Sequence, residues 1–272
     1  MEFKYFSRNG QILPIEQATV PLSNIEYQYG FGVYESIRVV AGNPQFLDEH
    51  VERLLESAKV IGLQHSFTQV LVRESVEQLL EKNAVESCNI KILLLGGTKP
   101  ILDILCLNPL FLDRKLYRDG VHTVTYQYER AFPHAKTLNM LQSYLAYQKA
   151  KRADAYDALL TDQEGNIVEG TRTNFLCVKG KILISPSEEK ILLGVARKHV
   201  LEVAHKIGFS VEFADVKPAD LSRYEAAFLT STSSKILPIH AVDDFEFGEQ
   251  PAALKELMNA FDRFLDTRGG EM

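Results

Sequence analysis

A polar stretch at residues 112–120 interrupts a chain in which strand-length and helix-length apolar patterns otherwise alternate. It reads Leu112-Asp113-Arg114-Lys115-Leu116-Tyr117-Arg118-Asp119-Gly120, and five of its nine residues are charged. Polar segments of this kind often join domains, and 272 residues is near the length at which a single hydrophobic core divides. The sequence therefore predicts a smaller N-terminal domain over residues 1–112, a linker over 113–120 and a larger C-terminal domain over 121–272.

Both predicted domains mix strands with helices. Short apolar runs at Gly32–Val40 and at residues 90–95 predict buried strands, whereas residues 48–61 and 66–83 have the apolar spacing of helices. In the second domain, a lysine-containing segment leads into a predicted helix over residues 138–152. We expect a mixed α and β (α+β) fold in which the first domain is α/β.

The composition restricts the class of partner. Hydrophobic residues make up 46% of the chain and charged residues 24%, which is typical of a packed, enzyme-like protein. The net charge of -6 provides no broad attraction for nucleic acid or an anionic membrane. The N-terminus lacks the pattern of a signal peptide, and no apolar run approaches the length of a membrane span. We therefore expect a cytoplasmic protein that acts on a small molecule, with no nucleic-acid or membrane partner.

Cysteine and histidine positions give no indication of a metal site. Cys88, Cys106 and Cys177 are odd in number, far apart and set in apolar stretches, as expected for buried thiols in a reducing compartment. The seven histidines include no closely spaced metal-ligand pair. No metal is predicted.

Two segments indicate a cofactor that carries an aldehyde. Lys136 lies in His134-Ala135-Lys136-Thr137-Leu138-Asn139, and Glu169 lies in Val168-Glu169-Gly170-Thr171-Arg172-Thr173-Asn174. A lysine amine can form a Schiff base with pyridoxal phosphate, and a carboxylate can face the ring nitrogen. The alternatives are a solvated surface lysine and a glutamate at the edge of a hairpin, because residues 162–166 form a predicted turn.

Three further segments could bind a phosphate group. Arg53 follows His50 by three residues on a predicted helix, and a guanidinium suits a phosphate dianion. Gly194-Val195-Ala196 opens another predicted helix, where backbone amides are available to an anion. Ser231 and Thr232 supply hydroxyls at a strand end. Each pattern also fits an ordinary solvated arginine, helix start or polar turn.

In this order, the motifs resemble the class IV aminotransferase family, the fold-type IV pyridoxal phosphate enzymes. That family includes branched-chain and D-amino-acid aminotransferases and 4-amino-4-deoxychorismate lyase. The resemblance extends over residues 28–243 and implies a two-domain, D-amino-acid aminotransferase-like fold with pyridoxal 5'-phosphate between the domains. It also implies a small-molecule amino substrate and a homodimer. The motifs are Tyr29-Gly30-Phe31-Gly32-Val33-Tyr34-Glu35, His50-x-x-Arg53-Leu54, Lys136-Thr137-Leu138-Asn139, Glu169-Gly170 with Asn174, Leu193-Gly194-Val195-Ala196-Arg197, and Ser231-Thr232 with Pro238.

The resemblance also implies a role for each matching residue. Lys136 would be the Schiff-base lysine and acid-base catalyst, Glu169 the partner of the ring nitrogen, and Thr171 a support for the ring edge. The phosphate would be held by Arg53, Gly194, Val195, Ala196, Ser231 and Thr232, and the substrate would be lined by Tyr34, Ser36, Arg38 and Lys91. Two positions depart from the pattern: Phe31 stands where many relatives have aspartate, and Ala196 stands in place of a threonine.

The reaction is the least determined feature. Residues 95–100 lack the arginine-x-histidine trap of D-amino-acid aminotransferases, and Leu141 occupies the position of a tyrosine in branched-chain enzymes. Ser36 and Lys91 match a hydroxyl and a lysine of the lyases, whereas Tyr34-Glu35 and the serine-threonine run at 231–234 favour D-amino-acid transaminases.

From these positions we predict 4-amino-4-deoxychorismate lyase, which forms 4-aminobenzoate and pyruvate for folate synthesis. The alternative is an aminotransferase of branched-chain or D-amino acids with a 2-oxo acid acceptor. A further alternative is a non-catalytic protein that binds pyridoxal phosphate.

Overall fold

The computed structural model describes residues 3–109 and 111–268, which form two compact units. The first unit contains the described residues up to 109 together with His134–Met140, and the second contains Phe111–Pro133 and residues 141–268. The segment with Lys136, which the sequence placed in the C-terminal domain, thus groups with the first unit. The segment predicted as a linker contains a short helix, Arg114–Asp119, whose first turn is capped by the side chain of Asp113.

The first unit is built on a six-stranded antiparallel sheet in the order β2-β1-β6-β5-β3-β4. Its helices α2 and α3 pack against this sheet. The strands are β1 (Tyr5–Arg8), β2 (Gln11–Pro14), β3 (Gly32–Val40), β4 (Asn43–Pro44), β5 (Ser87–Leu95) and β6 (Ile101–Leu107); the helices are α1 (Ile25–Gln28), α2 (Leu47–Val60) and α3 (Gln69–Asn83).

The two faces of this sheet differ in character because successive side chains of a strand point to opposite faces. Val33, Ile37 and Val39 of β3 lie in the buried core with Leu54 of α2. Glu35 has the same parity in β3 and is also fully buried. The opposite face therefore carries the alternate residues of β3 and β5, which are mostly polar.

Residues 134–140 join the first unit by pairing with the start of β3. Val33 and Thr137 form an isolated antiparallel bridge, and the Leu138 amide donates to the Gly32 carbonyl at 2.8 Å. Because the Lys136 carbonyl and the Leu138 amide bond to β3 in this way, the following helix begins at Leu141 rather than at Leu138, where side-chain periodicity placed it.

The second unit is built on a nine-stranded sheet in the order β12-β11-β10-β13-β14-β7-β8-β9, with β15 paired to β14. Because β9 pairs with both β8 and β10, the strands from β10 to β9 form a closed ring. The strands are β7 (Val121–Gln127), β8 (Asp157–Thr161), β9 (Ile167–Gly170), β10 (Asn174–Lys179), β11 (Ile182–Ser185), β12 (Ser210–Phe213), β13 (Ala226–Ser231), β14 (Lys235–Val242) and β15 (Phe245–Glu246); the helices are α4 (Arg114–Asp119), α5 (Leu141–Arg152), α6 (Val195–Lys206) and α7 (Ala252–Arg268).

Helices α6 and α7 pack together and contribute to one buried cluster of this unit, which includes Val200, Phe228 and Phe261. Helix α5 lies against β7 and β8 over another. Within the part of the chain that the structure describes, no helix combines the length and apolarity needed to cross a membrane.

Candidate active site

In the first unit, the backbone of Lys136 is fixed on both sides. Its amide donates to Ser57 Oγ of α2 at 3.1 Å, and its carbonyl accepts from the Tyr34 amide at 2.9 Å. The side chain is only partly exposed, and Nζ lies 4.8 Å from the centre of the Tyr34 ring. This geometry differs from that of a solvated surface lysine, since both the backbone and the amine are held by the small sheet and its helix.

The substrate residues predicted from the sequence share the polar face of that sheet. Tyr34, Ser36 and Arg38 alternate along β3, and Ser36 is the direct cross-strand partner of Lys91 in β5. Lys91 Nζ lies 3.4 Å from the centre of the Tyr34 ring, a close cation–π contact. Tyr34 is therefore approached by the amines of both Lys91 and Lys136, and the face concentrates positive charge suited to a carboxylate.

Arg53 of α2 pairs with Glu35 inside the same unit. Its Nε and Nη2 donate to the two oxygens of Glu35 at 2.6 and 2.9 Å, and His50 Nδ1 lies 2.7 Å from Glu35 Oε2. Burial by itself would raise the pKa of Glu35, but the charge of Arg53 and the hydrogen bonds from Arg53 and His50 outweigh it and hold that pKa well below its usual range. The sequence pattern identified Arg53, but it assigned no role to Glu35.

In the second unit, Glu169 is a buried residue of β9, one of the strands of the ring. Arg130 Nε donates to its Oε1, and the Leu192 amide donates to its Oε2 at 3.2 Å. Because β9 is paired on both sides, Glu169 is not at the edge of a hairpin. Arg130 also donates from Nη2 to the Thr171 carbonyl at 3.2 Å. Arg130 was missed by the sequence reasoning because it lies in an irregular segment without periodicity.

The turn after Glu169 is organised by a buried carboxylate, Asp157. It accepts from the hydroxyls of Thr171 and Thr173 and from the Thr171 amide. Burial raises the pKa of Asp157, and the hydrogen bond from Thr171 offsets part of that effect. A Cβ at Gly170 would lie 2.1 Å from Thr173 Oγ1, so the turn requires a glycine there. The hydroxyl of Thr171 thus shapes this turn from within, whereas the resemblance implied a support for the ring edge.

The residues predicted to hold phosphate in this unit lie close to Glu169. Gly194 is the N-cap of α6, so the amides of Val195 and Ala196 belong to the open first turn. Asn174 ties this start to the sheet, because its Nδ2 donates to the Leu192 carbonyl at 2.8 Å. Asn174 is also the strand partner of both Glu169 and Thr230, the residue before Ser231. Ser231 Oγ is 2.7 Å from Ser234 Oγ in the turn that contains Thr232.

The two departures from the family pattern are accommodated locally. Phe31 lies against Gly96, where a Cβ would be 2.3 Å from the Phe31 ring. Ala196 is buried within the first turn of α6 and offers its amide, without a hydroxyl, to an anion. The first unit thus gathers Lys136, Arg53, Tyr34, Ser36, Arg38 and Lys91; the second gathers Glu169, Thr171, Gly194, Val195, Ala196, Ser231 and Thr232.

Comparisons with known proteins agree with this set of motifs. Residues 32–242 match the family described as "Amino-transferase class IV". The chain is 28% identical to D-alanine aminotransferase of Bacillus licheniformis, over 88% of this chain and 89% of the relative. It is 30% identical to a putative branched-chain-amino-acid aminotransferase of Methanocaldococcus jannaschii, over 91% and 93% of the two chains.

A solved structure gives the same result for the fold. The branched-chain amino acid aminotransferase of Thermobaculum terrenum, solved in its PLP-form, is 25% identical to this chain and superposes with a TM-score of 0.87, over 97% of this chain and 94% of that one. The Escherichia coli branched-chain amino acid aminotransferase, at 24% identity and a TM-score of 0.89, shows the same fold over 96% and 94%.

Proposed function

We propose that this chain, which belongs to the class IV aminotransferase family of pyridoxal 5'-phosphate enzymes, transfers the amino group of an amino acid to a 2-oxo acid. The observation that carries the proposal is the placement of Lys136 against Tyr34, on the sheet face that also bears Lys91 and Arg38. An amine is thus fixed beside cations suited to a substrate carboxylate. The relatives named as D-alanine and branched-chain aminotransferases support this reaction over the lyase predicted from the sequence.

The residues present suit the cofactor. When bound, pyridoxal phosphate supplies an electron sink that stabilises negative charge at the substrate carbon. Lys136 would provide the amine that holds it, and Glu169 a buried acceptor for the protonated ring nitrogen. Arg53, the amides of Val195 and Ala196, and the hydroxyls of Ser231 and Thr232 would hold its phosphate.

The chain's own groups then perform the proton transfer. Lys136 would take the proton from the substrate carbon and return it to a second carbon. For this transfer the backbone of Lys136 must keep its position. The hydrogen bonds of its amide to Ser57 and of its carbonyl to Tyr34 provide that anchoring. Arg38 and Lys91 would orient the substrate through its carboxylate.

One observation favours the lyase as a second candidate. Ser36 and Lys91, the two positions that match the lyases, are directly opposed on β3 and β5. A hydroxyl and an amine at this spacing could act on one substrate. The lyase therefore belongs in the test.

The test offers the purified protein three substrate sets: D-alanine, L-branched-chain amino acids and 4-amino-4-deoxychorismate. D-alanine is supplied with 2-oxoglutarate, because with pyruvate it would only regenerate the same pair, and the branched-chain amino acids are supplied with pyruvate or 2-oxoglutarate. We expect acceptor-dependent amino transfer, a long-wavelength absorbance from the bound cofactor, and loss of both in Lys136→Ala. Release of 4-aminobenzoate and pyruvate without an acceptor, and no amino transfer, would replace the aminotransferase by the lyase.

Two further properties accompany this proposal. A homodimer is supported by an exposed apolar segment at residues 22–29, in which Leu22 is 86% and Tyr29 75% exposed. A cytoplasmic location is supported by the three buried free thiols, which suit a reducing compartment. Cell fractionation with an antibody to the chain tests the location; recovery in the cytosolic fraction is expected.

A further inference from the structure

Several hydrogen-bond donors converge on one buried carboxylate in the first unit. Glu35 is fully buried, and it accepts two bonds from Arg53, one from His50 Nδ1 and one from the Ser36 amide. The two bonds from Arg53 form a bidentate contact along its Nε–Nη2 edge, the geometry in which a carboxylate fixes the plane of a guanidinium. Arg53, by contrast, keeps 14% of its side chain exposed.

His50 takes part as a neutral donor. A carboxylate oxygen can only accept, so the 2.7 Å contact requires a proton on His50 Nδ1. His50 is fully buried, and among the described residues its Nε2 has no hydrogen-bond partner. A proton on Nε2 would be a buried, unsatisfied donor, which costs several kcal/mol by itself. The neutral Nδ1–H tautomer is the form that the surroundings accept.

The same helix also anchors the lysine segment. His50, Arg53 and Ser57 follow the i, i+3, i+7 spacing of one face of α2, and Ser57 Oγ accepts from the Lys136 amide. This polar stripe therefore has two attachments, one to Glu35 in β3 and one to Lys136. Helix α2 therefore links the residues that hold Arg53 to the residue that anchors the Lys136 backbone.

We propose that Glu35 and His50 are positioning residues that orient the guanidinium of Arg53 towards the phosphate of the cofactor. The inference rests on the proposed function, since it takes Arg53 as a phosphate ligand. Two effects of Glu35 oppose each other: its negative charge weakens the attraction of the site for a dianion, and its bidentate contact prevents Arg53 from sampling other directions. In a buried site the second effect dominates, because the orientation of the donor sets the strength of a charge-assisted hydrogen bond.

The experiment measures how much the phosphate contributes to binding. Apoprotein is titrated with pyridoxal 5'-phosphate and, separately, with pyridoxal, which lacks the phosphate, and the two dissociation constants are compared by cofactor absorbance. In Glu35→Gln the preference for the phosphorylated compound should fall by roughly tenfold or more, the loss expected for one charge-assisted contact. The affinity for pyridoxal should stay close to that of the wild type.

A pair of variants at His50 provides a second test that does not alter the Glu35–Arg53 ion pair. His50→Asn keeps a donor near the position of Nδ1 and should retain the phosphate preference, whereas His50→Leu removes the donor and should reduce it. Both leave Glu35 and Arg53 in place, so the test stands if Glu35→Gln does not fold. Asp103→Asn is the matched control: it breaks a comparable ion pair with Arg8 in the same sheet, away from Arg53.

The outcomes separate this inference from the proposed function. If wild-type protein binds neither compound, the proposed function fails. If it prefers pyridoxal phosphate and Glu35→Gln leaves that preference unchanged or strengthens it, charge outweighs orientation and the positioning role is wrong. An equal loss for both compounds, or the same loss in Asp103→Asn, would show that Glu35 only stabilises the fold.

Discussion

At the scale of single residues, the ion pair of Arg130 and Glu169 should contribute strongly to the stability of the second unit. Both side chains are largely buried, at 13% and 3% exposed. Arg130→Met leaves the carboxylate of Glu169 without its guanidinium, which costs about 3–5 kcal/mol at a buried site. We expect that loss in urea unfolding of the apoprotein at neutral pH. The double variant Arg130→Met/Glu169→Gln should recover part of it, and strictly additive losses would contradict a direct pair.

His50 should give the protein a defined pH dependence of stability. Burial lowers the pKa of His50, the charge of Glu35 raises it in part, and the charges of Arg53 and Lys136 lower it further. Because the folded pKa lies below the unfolded one, the unfolded chain binds the proton more readily. The contribution of His50 to the free energy of unfolding is therefore fully present above about pH 6.5, the pKa of the unfolded state. This contribution is lost as the pH falls from there towards the folded pKa, by up to about 1.4 kcal/mol per pH unit.

The measurement compares wild type with His50→Asn between about pH 7.5 and 5.5. Glu35 titrates below this window because its pKa is held low. The free energy of unfolding of the wild type should fall more steeply than that of the variant on acidification. Parallel curves would show that His50 is protonated equally in both states.

The sequence indicated the residues proposed to contact a cofactor better than the residues that hold them in place. Lys136, Glu169 and Arg53 could be proposed because few side chains have the chemistry that a Schiff base, a ring nitrogen or a phosphate requires. Arg130 and Asp157 were not, because each acts on a residue distant in sequence, at separations of 39 and 14 positions. The pairing of β8 with β9 brings Asp157 to Thr171, and Arg130 follows β7, which pairs with β8. No local sequence pattern records these strand pairings.

At the scale of elements, periodicity worked where one face of an element is buried. The predicted strand Gly32–Val40 has the bounds of β3, and residues 48–61 differ from α2 by one position at each end. It failed where tertiary pairing competes with helix formation, as at Leu138, whose amide donates to the Gly32 carbonyl of β3. It also missed α4, since a charged six-residue helix has no buried residue to mark it.

The pairing of β3 with the lysine segment should depend on Gly32. A Cβ there would lie 2.7 Å from the Leu94 carbonyl oxygen and 2.8 Å from Leu138 Cδ1. Since a backbone atom cannot move away cheaply, Gly32→Ala should cost about 1–3 kcal/mol and loosen the segment. The expected sign is faster hydrogen exchange of the Leu138 amide, which donates to Gly32.

The control for this prediction is Gly248→Ala, because nothing lies within 4 Å of a Cβ at Gly248. That variant should leave the exchange of Leu138 unchanged. Protection of the Leu138 amide in Gly32→Ala at the wild-type level would mean that β3 tolerates the methyl group by a local shift.

At the scale of the whole molecule, each unit has its own buried hydrophobic clusters, so most of its apolar side chains pack against others of the same unit. Residues 22–29 are an exception in the first unit. Leu22, Ile25, Tyr27 and Tyr29 are all exposed within eight residues. Exposed apolar side chains clustered in one segment often mark a contact with another chain, and a second copy is the partner that is always present at equal concentration.

Light scattering after size-exclusion chromatography tests this assembly. We expect the wild type at about twice the 30.7 kDa of one chain. Leu22→Asp/Tyr29→Asp should shift it to the mass of one chain, because charge introduced into an apolar interface must be desolvated on association. Val70→Asp is the matched control, a change of the same kind at a residue of α3 that is 63% exposed and outside this segment. A wild type that elutes at 30.7 kDa, or a double variant that remains a dimer, would assign the exposed segment another role.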